Sequence, residues 1–123
     1  MLVELDKDFN SIVQELQTEL TNTGVELRCE KLQHSRGLKY ALRGPNTFAW
    51  IEKRPRLNCL AICTKMEWAN RARVNDYQCK QNSWFNEPGA HWLIPMGDTQ
   101  EIKKVAKKLA CVCTARHSAR RFP

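Results

Sequence analysis

Residues 38–65 read LKYALRGPNTFAWIEKRPRLNCLAICTK, and their pattern sets the fold class. Apolar and polar residues alternate over 38–43, which is typical of a strand with one buried face. Residues 44–46 (Gly-Pro-Asn) break the chain, and two strand-like runs, 47–53 and 57–64, then lie on either side of a basic turn. Strands that follow one another through short turns favour an antiparallel meander.

Outward from this stretch, the chain predicts a helix at each end. Residues 7–21 carry one apolar stripe at helical spacing, formed by Phe9, Ile12, Val13, Leu16 and Leu20. Residues 25–31 and 91–96 predict two more strands. Asp98 and Glu101 are spaced as in a capping box and begin the closing helix. We therefore expect an α+β fold, in which a mostly antiparallel sheet of about five strands packs against an N-terminal and a C-terminal helix.

Residues 65–90 are less regular than the rest of the chain. Residues 66–74 predict one or two helical turns. Residues 75–89 are rich in Asn and Gln and end in Asn-Glu-Pro-Gly, which predicts a long loop or irregular excursion. Loops of this length in compact domains are often functional, so this segment is a candidate for part of a binding site.

The length and composition indicate one domain. A chain of 123 residues can bury one hydrophobic core, which we place at residues 1–115, followed by a basic tail at 116–123 that is expected to be disordered. No apolar run approaches the roughly 20 residues that span a bilayer, and the N-terminus does not resemble a secretory signal, so we expect no membrane partner and a cytoplasmic location. Thiols stay reduced there. Most of the six cysteines lie in apolar contexts and are expected to pack in the core.

The charge is divided unevenly along the chain. Residues 1–30 hold seven acidic and two basic side chains, a net charge of −5. Because the whole chain carries +7, residues 31–123 carry +12. Such asymmetry points to an anionic partner for the later segment.

Aromatic residues are interleaved with these cations, and the combination suits nucleic acid. Cations neutralise phosphates, and aromatic rings stack on bases at about 1–3 kcal/mol per base. The candidate binding residues are Arg36, Lys39, Arg43, Arg54, Arg56, Lys65, Trp68, Arg71, Arg73, Lys80 and Trp84. Trp50 and Trp92 lie in apolar strands and are expected in the core. The sequence therefore predicts a non-enzymatic module that binds nucleic acid or another polyanion.

The main alternative is a small protein-binding adaptor or inhibitor, of the kind that a phage encodes to act on a larger enzyme. Trp68, Trp84 and Phe85 would be its anchors, since Trp and Arg are favoured at the centres of interfaces. An enzymatic interpretation rests on Cys79, which has a polar context beside a lysine, and on His91.

Metal and catalytic signatures are weak. Cys59 and Cys63 share a strand face but lie about 13 Å apart, too far for one zinc ion. Glu52 and Lys53 superficially resemble the acid–lysine pairs of metal-dependent nucleases, yet neighbouring strand residues point to opposite faces. No Gly-rich phosphate loop or nucleophile elbow occurs. We predict no cofactor, no metal ligand and no catalytic residue.

The order of elements resembles that of one known domain family. A Thr-Phe-Ala-Trp-Ile strand (47–51) precedes a basic turn and an apolar strand. An irregular stretch, a Gly-Ala-His-Trp strand (89–92) and a closing helix introduced by residues 98–101 follow. This order is similar to a small uncharacterised bacterial α+β domain, found alone or at the C-terminal end of larger proteins, some loosely labelled as predicted transport proteins. The resemblance covers residues 38–115 and implies a compact α+β fold, without an established activity or catalytic residues.

Overall fold

The computed structural model describes residues 2–33, 37–81 and 88–118. The α-helices among these residues are α1 (Leu2–Leu20), α2 (Met66–Arg71) and α3 (Thr99–Ser118), and two short 3-10 helices lie at Thr21–Thr23 and Pro55–Leu57. The strands are β1 (Arg28–Lys31), β2 (Lys39–Arg43), β3 (Thr47–Arg54), β4 (Cys59–Lys65), β5 (Gln78–Gln81) and β6 (Pro88–Pro95). They form one antiparallel sheet in the order β1-β2-β3-β4-β6-β5. The predicted α+β fold, with a helix at each end of the chain, is confirmed.

One face of the sheet carries the hydrophobic core. Tyr40, Ile51, Ile62 and Trp92 lie directly opposite one another across β2, β3, β4 and β6, so their side chains share this face. The core joins this row to the apolar stripes of the two long helices, which include Leu5, Ile12, Leu16, Ile102, Val105 and Leu109. Helices α1 and α3 pack on each other and on the sheet, which makes two layers. We call this side of the sheet the helix face.

The prediction of a loop over residues 75–89 is wrong at the centre of this range. Gln78–Gln81 form β5, the edge strand that pairs with β6. Its sequence, Gln-Cys-Lys-Gln, shows no apolar alternation because an edge strand contributes little to the core. Pairing with β6 therefore places this segment in the sheet, and the local sequence offers no signal for it.

The last turn of α3 is anchored to the turn between β2 and β3. His117 Nε2 accepts a hydrogen bond from the Asn46 N–H at 3.1 Å, and His117 Nδ1 lies 2.8 Å from the Cys113 carbonyl oxygen. A Cβ atom at Gly44 would lie 2.9 Å from side-chain atoms of both His117 and Val25, so this close approach requires glycine. Helix α3 therefore includes 116–118, which the sequence assigned to the tail, whereas 119–123 lie outside the described residues.

Candidate functional site

The face of the sheet opposite α1 and α3 brings most of the candidate cations together. Strand alternation and the pairing register assign side chains to this side. A row that crosses all six strands consists of Glu30, Ala41, Trp50, Cys63, His91 and Gln78. On one side of this row lies a second row, which consists of Lys39, Glu52, Ala61 and Leu93, and next to it lie Arg54 and Cys59. On the other side of the first row lie Arg28, Arg43, Lys65 and Lys80. We call this surface the open face.

Five of the predicted binding residues lie on the open face: Lys39, Arg43, Arg54, Lys65 and Lys80. With Arg28, the described part of this face holds six cations against the two carboxylates of Glu30 and Glu52, a net charge of +4. The cations belong to five different strands, so no local sequence motif unites them.

The two carboxylates hold three of these cations in place. Glu52 Oε2 lies 3.3 Å from Lys39 Nζ, and Glu52 Oε1 lies 2.6 Å from Arg54 Nε. Arg43 Nη1 lies 2.8 Å from Glu30 Oε2. The Lys39, Arg43 and Arg54 side chains remain between 34% and 39% exposed, and ion pairs at such positions are weak. A phosphate group can therefore compete with these carboxylates for the same cations.

Trp68 is buried, and the expectation that it offers an exposed ring was wrong. Only 7% of the residue is exposed, and its ring stacks on that of Trp50, with centroids 6.2 Å apart and planes 11° apart. Lys65 Nζ and the Arg116 guanidinium lie 5.2 Å and 4.8 Å from its ring. Polar neighbours in sequence belong to the exposed side of the short helix α2, while Trp68 points inward.

Trp50 lies on the open face, where its ring stacks on that of Trp68. Trp50 is half-buried there, although the sequence predicted a core position for it. Trp92 does lie in the core, as predicted, and its Nε1–H donates to the Asp76 carbonyl oxygen at 2.7 Å. The alternation of β3 could have identified Trp50, since it lies two residues from Glu52 and four from Arg54 on the same side of the strand.

His91 lies within the row that contains Trp50. Its pKa is lowered from the ordinary value, first by burial and then by the positive charges of Lys80 and Arg54. The same two cations lower the pKa of Cys59, although burial of that thiol has the larger, opposite effect and raises its pKa overall. Lys80 and Arg54 come from different strands, β5 and β3, and the charge of each lowers the pKa of His91.

The remaining candidate residues are elsewhere. Arg56 lies in the turn between β3 and β4, beside a shallow groove of about 560 Å³ that Leu38, Pro55 and Leu57 also line. Arg71 ends α2, and Arg73 follows it in a left-handed conformation with φ of 59°. Both are exposed and do not belong to a strand of the sheet. Arg36, Trp84 and Phe85 lie outside the described residues.

Two pairs of residues were considered for catalysis, Cys79 with His91 and Glu52 with Lys53, and in each pair the two side chains lie on opposite faces of the sheet. Cys79 lies opposite Ala90, whereas His91 lies opposite Gln78, so the Cys79 thiol and the His91 imidazole point to different faces. Glu52 lies on the open face and Lys53 on the helix face, as strand alternation predicted. Among the described residues, no group of three or more His, Cys, Asp or Glu side chains is placed to hold a metal ion.

The cysteines divide between core and surface. Cys59, Cys63 and Cys113 are buried, as their apolar contexts predicted. Cys29 and Cys111 are exposed despite similar contexts, because one lies on the edge strand β1 and the other on the outer side of α3. Exposed Cys79 lies with its Sγ 3.3 Å from Met66 Sδ.

A second group of cations lies on the helical layer. Lys103, Lys104 and Lys107 are exposed on α3, while Lys108 Nζ lies 3.2 Å from Asp76 Oδ2. These lysines are on the opposite side of the molecule from the open face, since α3 covers the helix face. Among the described residues, the positive charge is thus shared between these two surfaces, and the open face combines it with the aromatic Trp50 and the apolar Leu93.

Comparison of the chain with protein-family models, with curated proteins and with solved structures finds no match. The resemblance to the small bacterial domain therefore stays a prediction. No helix in the described part of the chain is long and apolar enough to cross a membrane.

Proposed function

We propose that this chain is a non-enzymatic module that binds nucleic acid through the open face. The observation that carries the proposal is the gathering of six cations from five strands around Trp50, with only two carboxylates between them. A polyanion is the partner that such a surface attracts, because each phosphate it neutralises releases counterions.

The layout of the cations suits an extended polyanion better than a single small anion. Neighbouring strands lie about 4.8 Å apart, so β2, which carries Lys39, and β5, which carries Lys80, are separated by about 19 Å across the sheet. A single phosphate can contact only a small part of this surface. Several successive phosphates of one backbone can contact cations from β2 to β5 together.

Binding of labelled oligonucleotides across a range of salt concentrations tests this proposal. Lys39→Gln combined with Lys80→Gln removes two charges from the open face, and Lys103→Gln combined with Lys104→Gln removes two from α3 as a matched control. We expect the first pair to lower affinity by about tenfold and to reduce the slope of log K against log salt by about 1.4 for a single strand or about 1.8 for a duplex. The control pair should change neither quantity appreciably.

Two results would contradict the proposal. One is the absence of oligonucleotide binding by the wild-type protein at low salt. The other is an equal loss of affinity in the two double variants, which would show that total charge, and not the open face, determines binding.

A protein-binding adaptor is the second candidate, and Leu57 is the observation that favours it. This residue is 62% exposed beside the groove that Leu38 and Pro55 line. Recovery of one stoichiometric protein partner after nuclease treatment would support an adaptor if Leu57→Glu abolished it and left oligonucleotide affinity unchanged. The nucleic-acid proposal predicts no such partner.

A further inference from the structure

We infer that the open face takes single-stranded nucleic acid in preference to a duplex, with its bases over the centre of the sheet and its phosphates toward the cations at the rim. This inference rests on the proposed function and names the substrate class. It follows from two features of the face: the arrangement of its apolar and charged side chains, and the stacking contact that orders Trp50.

Apolar side chains occupy the centre of the open face, and cations surround them. Ala41, Ala61 and Cys63 are small and buried, and the larger half-buried Trp50 and Leu93 lie beside them in adjoining rows. The charged residues are set around this centre: Arg28, Lys39 and Arg43 toward β1, Lys65 and Lys80 toward the start of β6, and Arg54 at the end of β3. An unpaired strand has both chemistries, since its bases have apolar faces and its backbone is anionic.

The ring of Trp50 is ordered by a stacking contact before any base binds. Its stacking on Trp68, at 6.2 Å and 11°, fixes the orientation of the indole, and Trp68 is itself enclosed by Lys65 and Arg116. A ring that is already ordered loses little conformational freedom on binding. His91 lies two strands away from Trp50 in the same row, but only 8% of it is exposed, so a base would contact Trp50 and not the imidazole.

A duplex would use this surface poorly. The grooves of DNA are read by a helix or a two-stranded ribbon that projects from the protein. The long helices α1 and α3 lie behind the open face, and the short helix α2 reaches it through Trp68, which stacks on Trp50. A duplex resting there would present its backbone to the cations and would leave Trp50 and Leu93 without a base to contact.

Affinities for a single strand and for a duplex of the same sequence, each of about 12 nucleotides, test the inference at one salt concentration. Single strands of the same sequence made as DNA and as RNA show which of the two nucleic acids the protein prefers. We expect both single strands, or one of them, to bind about tenfold more tightly than the duplex. Leu93→Ser should lower single-strand affinity severalfold and leave duplex affinity unchanged, while Leu57→Ser, the matched control, should change neither.

Equal or tighter binding of the duplex would overturn this inference and leave the proposed function standing. An equal effect of Leu93→Ser on both forms would also overturn it, because the apolar centre would then make no contact with bases. Failure of every oligonucleotide to bind at low salt would overturn the inference together with the proposed function.

Discussion

Lys53 Nζ lies 2.8 Å from Asp6 Oδ1, and this ion pair joins β3 to α1 on the helix face. The ammonium group also lies 4.9 Å from the ring centroids of Phe9 and Tyr40, and only 9% of Lys53 is exposed. Burial is the largest single influence and lowers the pKa of Lys53, but hydrogen bonds and charge interactions with Asp6 and Tyr40 together raise it above its ordinary value. Lys53 of β3 therefore stabilises the contact between the sheet and α1 and is not available to a ligand.

Removal of Asp6 should destabilise the protein more than removal of Lys53. Asp6→Ala leaves an almost buried ammonium group without its carboxylate, and we expect a loss of about 1–2 kcal/mol in the free energy of unfolding. Lys53→Met keeps the apolar stem and removes the charge, so its cost should be smaller. Urea denaturation at neutral pH measures both values. A larger loss in Lys53→Met than in Asp6→Ala would show that the ammonium group itself provides the stability.

Glu52→Gln should strengthen oligonucleotide binding. Glu52 contacts both Lys39 and Arg54, so the substitution releases two cations and removes one negative charge from the open face. We expect about a fivefold gain in affinity, since exposed pairs of this kind are worth about 1 kcal/mol. Glu19→Gln, at an exposed position on α1, removes the same charge from the helical layer and serves as the control. Unchanged or weaker binding by Glu52→Gln would count against the open face as the interface.

The stability of the protein should fall on the acid side of neutrality in part because of His91. Burial and the charges of Lys80 and Arg54 hold the pKa of His91 below 6.5, its ordinary value. As the pH falls, the unfolded chain therefore protonates at His91 before the folded protein does. The contribution of neutral His91 to the free energy of unfolding is complete above pH 6.5 and is lost as the pH falls toward the lower pKa of the folded state. His91→Gln should make the decline in unfolding free energy between about pH 7 and pH 5 shallower.

Urea denaturation at several pH values provides this measurement, with His117→Gln as the comparison. His117 belongs to the anchor of α3 and not to the open face. If the pH profile of His91→Gln runs parallel to that of the wild-type protein, protonation of His91 does not oppose folding.

The six cysteines should react at very different rates with a thiol reagent near pH 8. Cys79 and Cys111 are exposed and should react first. Cys29 is also exposed as a residue, but burial of its thiol raises its pKa to about 11, so it should react slowly. Burial raises the pKa of Cys113 to about 12, and this thiol should react only after unfolding. Cys79→Ser combined with Cys111→Ser should abolish the fast phase. A fast phase that persists in this double variant would show that another thiol is accessible.

Several parts of the fold could be predicted because their signals are local. Alternation over residues 38–64 predicted β2, β3 and β4, and the stripe that includes Ile12 and Leu16 predicted α1. The cap of α3 also follows from its sequence, since Asp98 Oδ1 accepts the Glu101 N–H at 3.0 Å. The positions of the charged residues also follow from the sequence, which indicates Lys39, Arg43 and Arg54 as binding candidates without knowledge of the strand pairing.

The amino-acid sequence alone thus determined the fold class, the two long helices, the three central strands and the excess of positive charge after residue 30. These depend on periodicity, capping and composition, which act between residues close in the chain. The packing of α2 decided that Trp68 is buried against Trp50, and strand pairing decided that β5 exists and that Cys79 and His91 face apart. It also decided which cations meet, because residues from five separate strands become neighbours only when the register of the sheet sets them side by side.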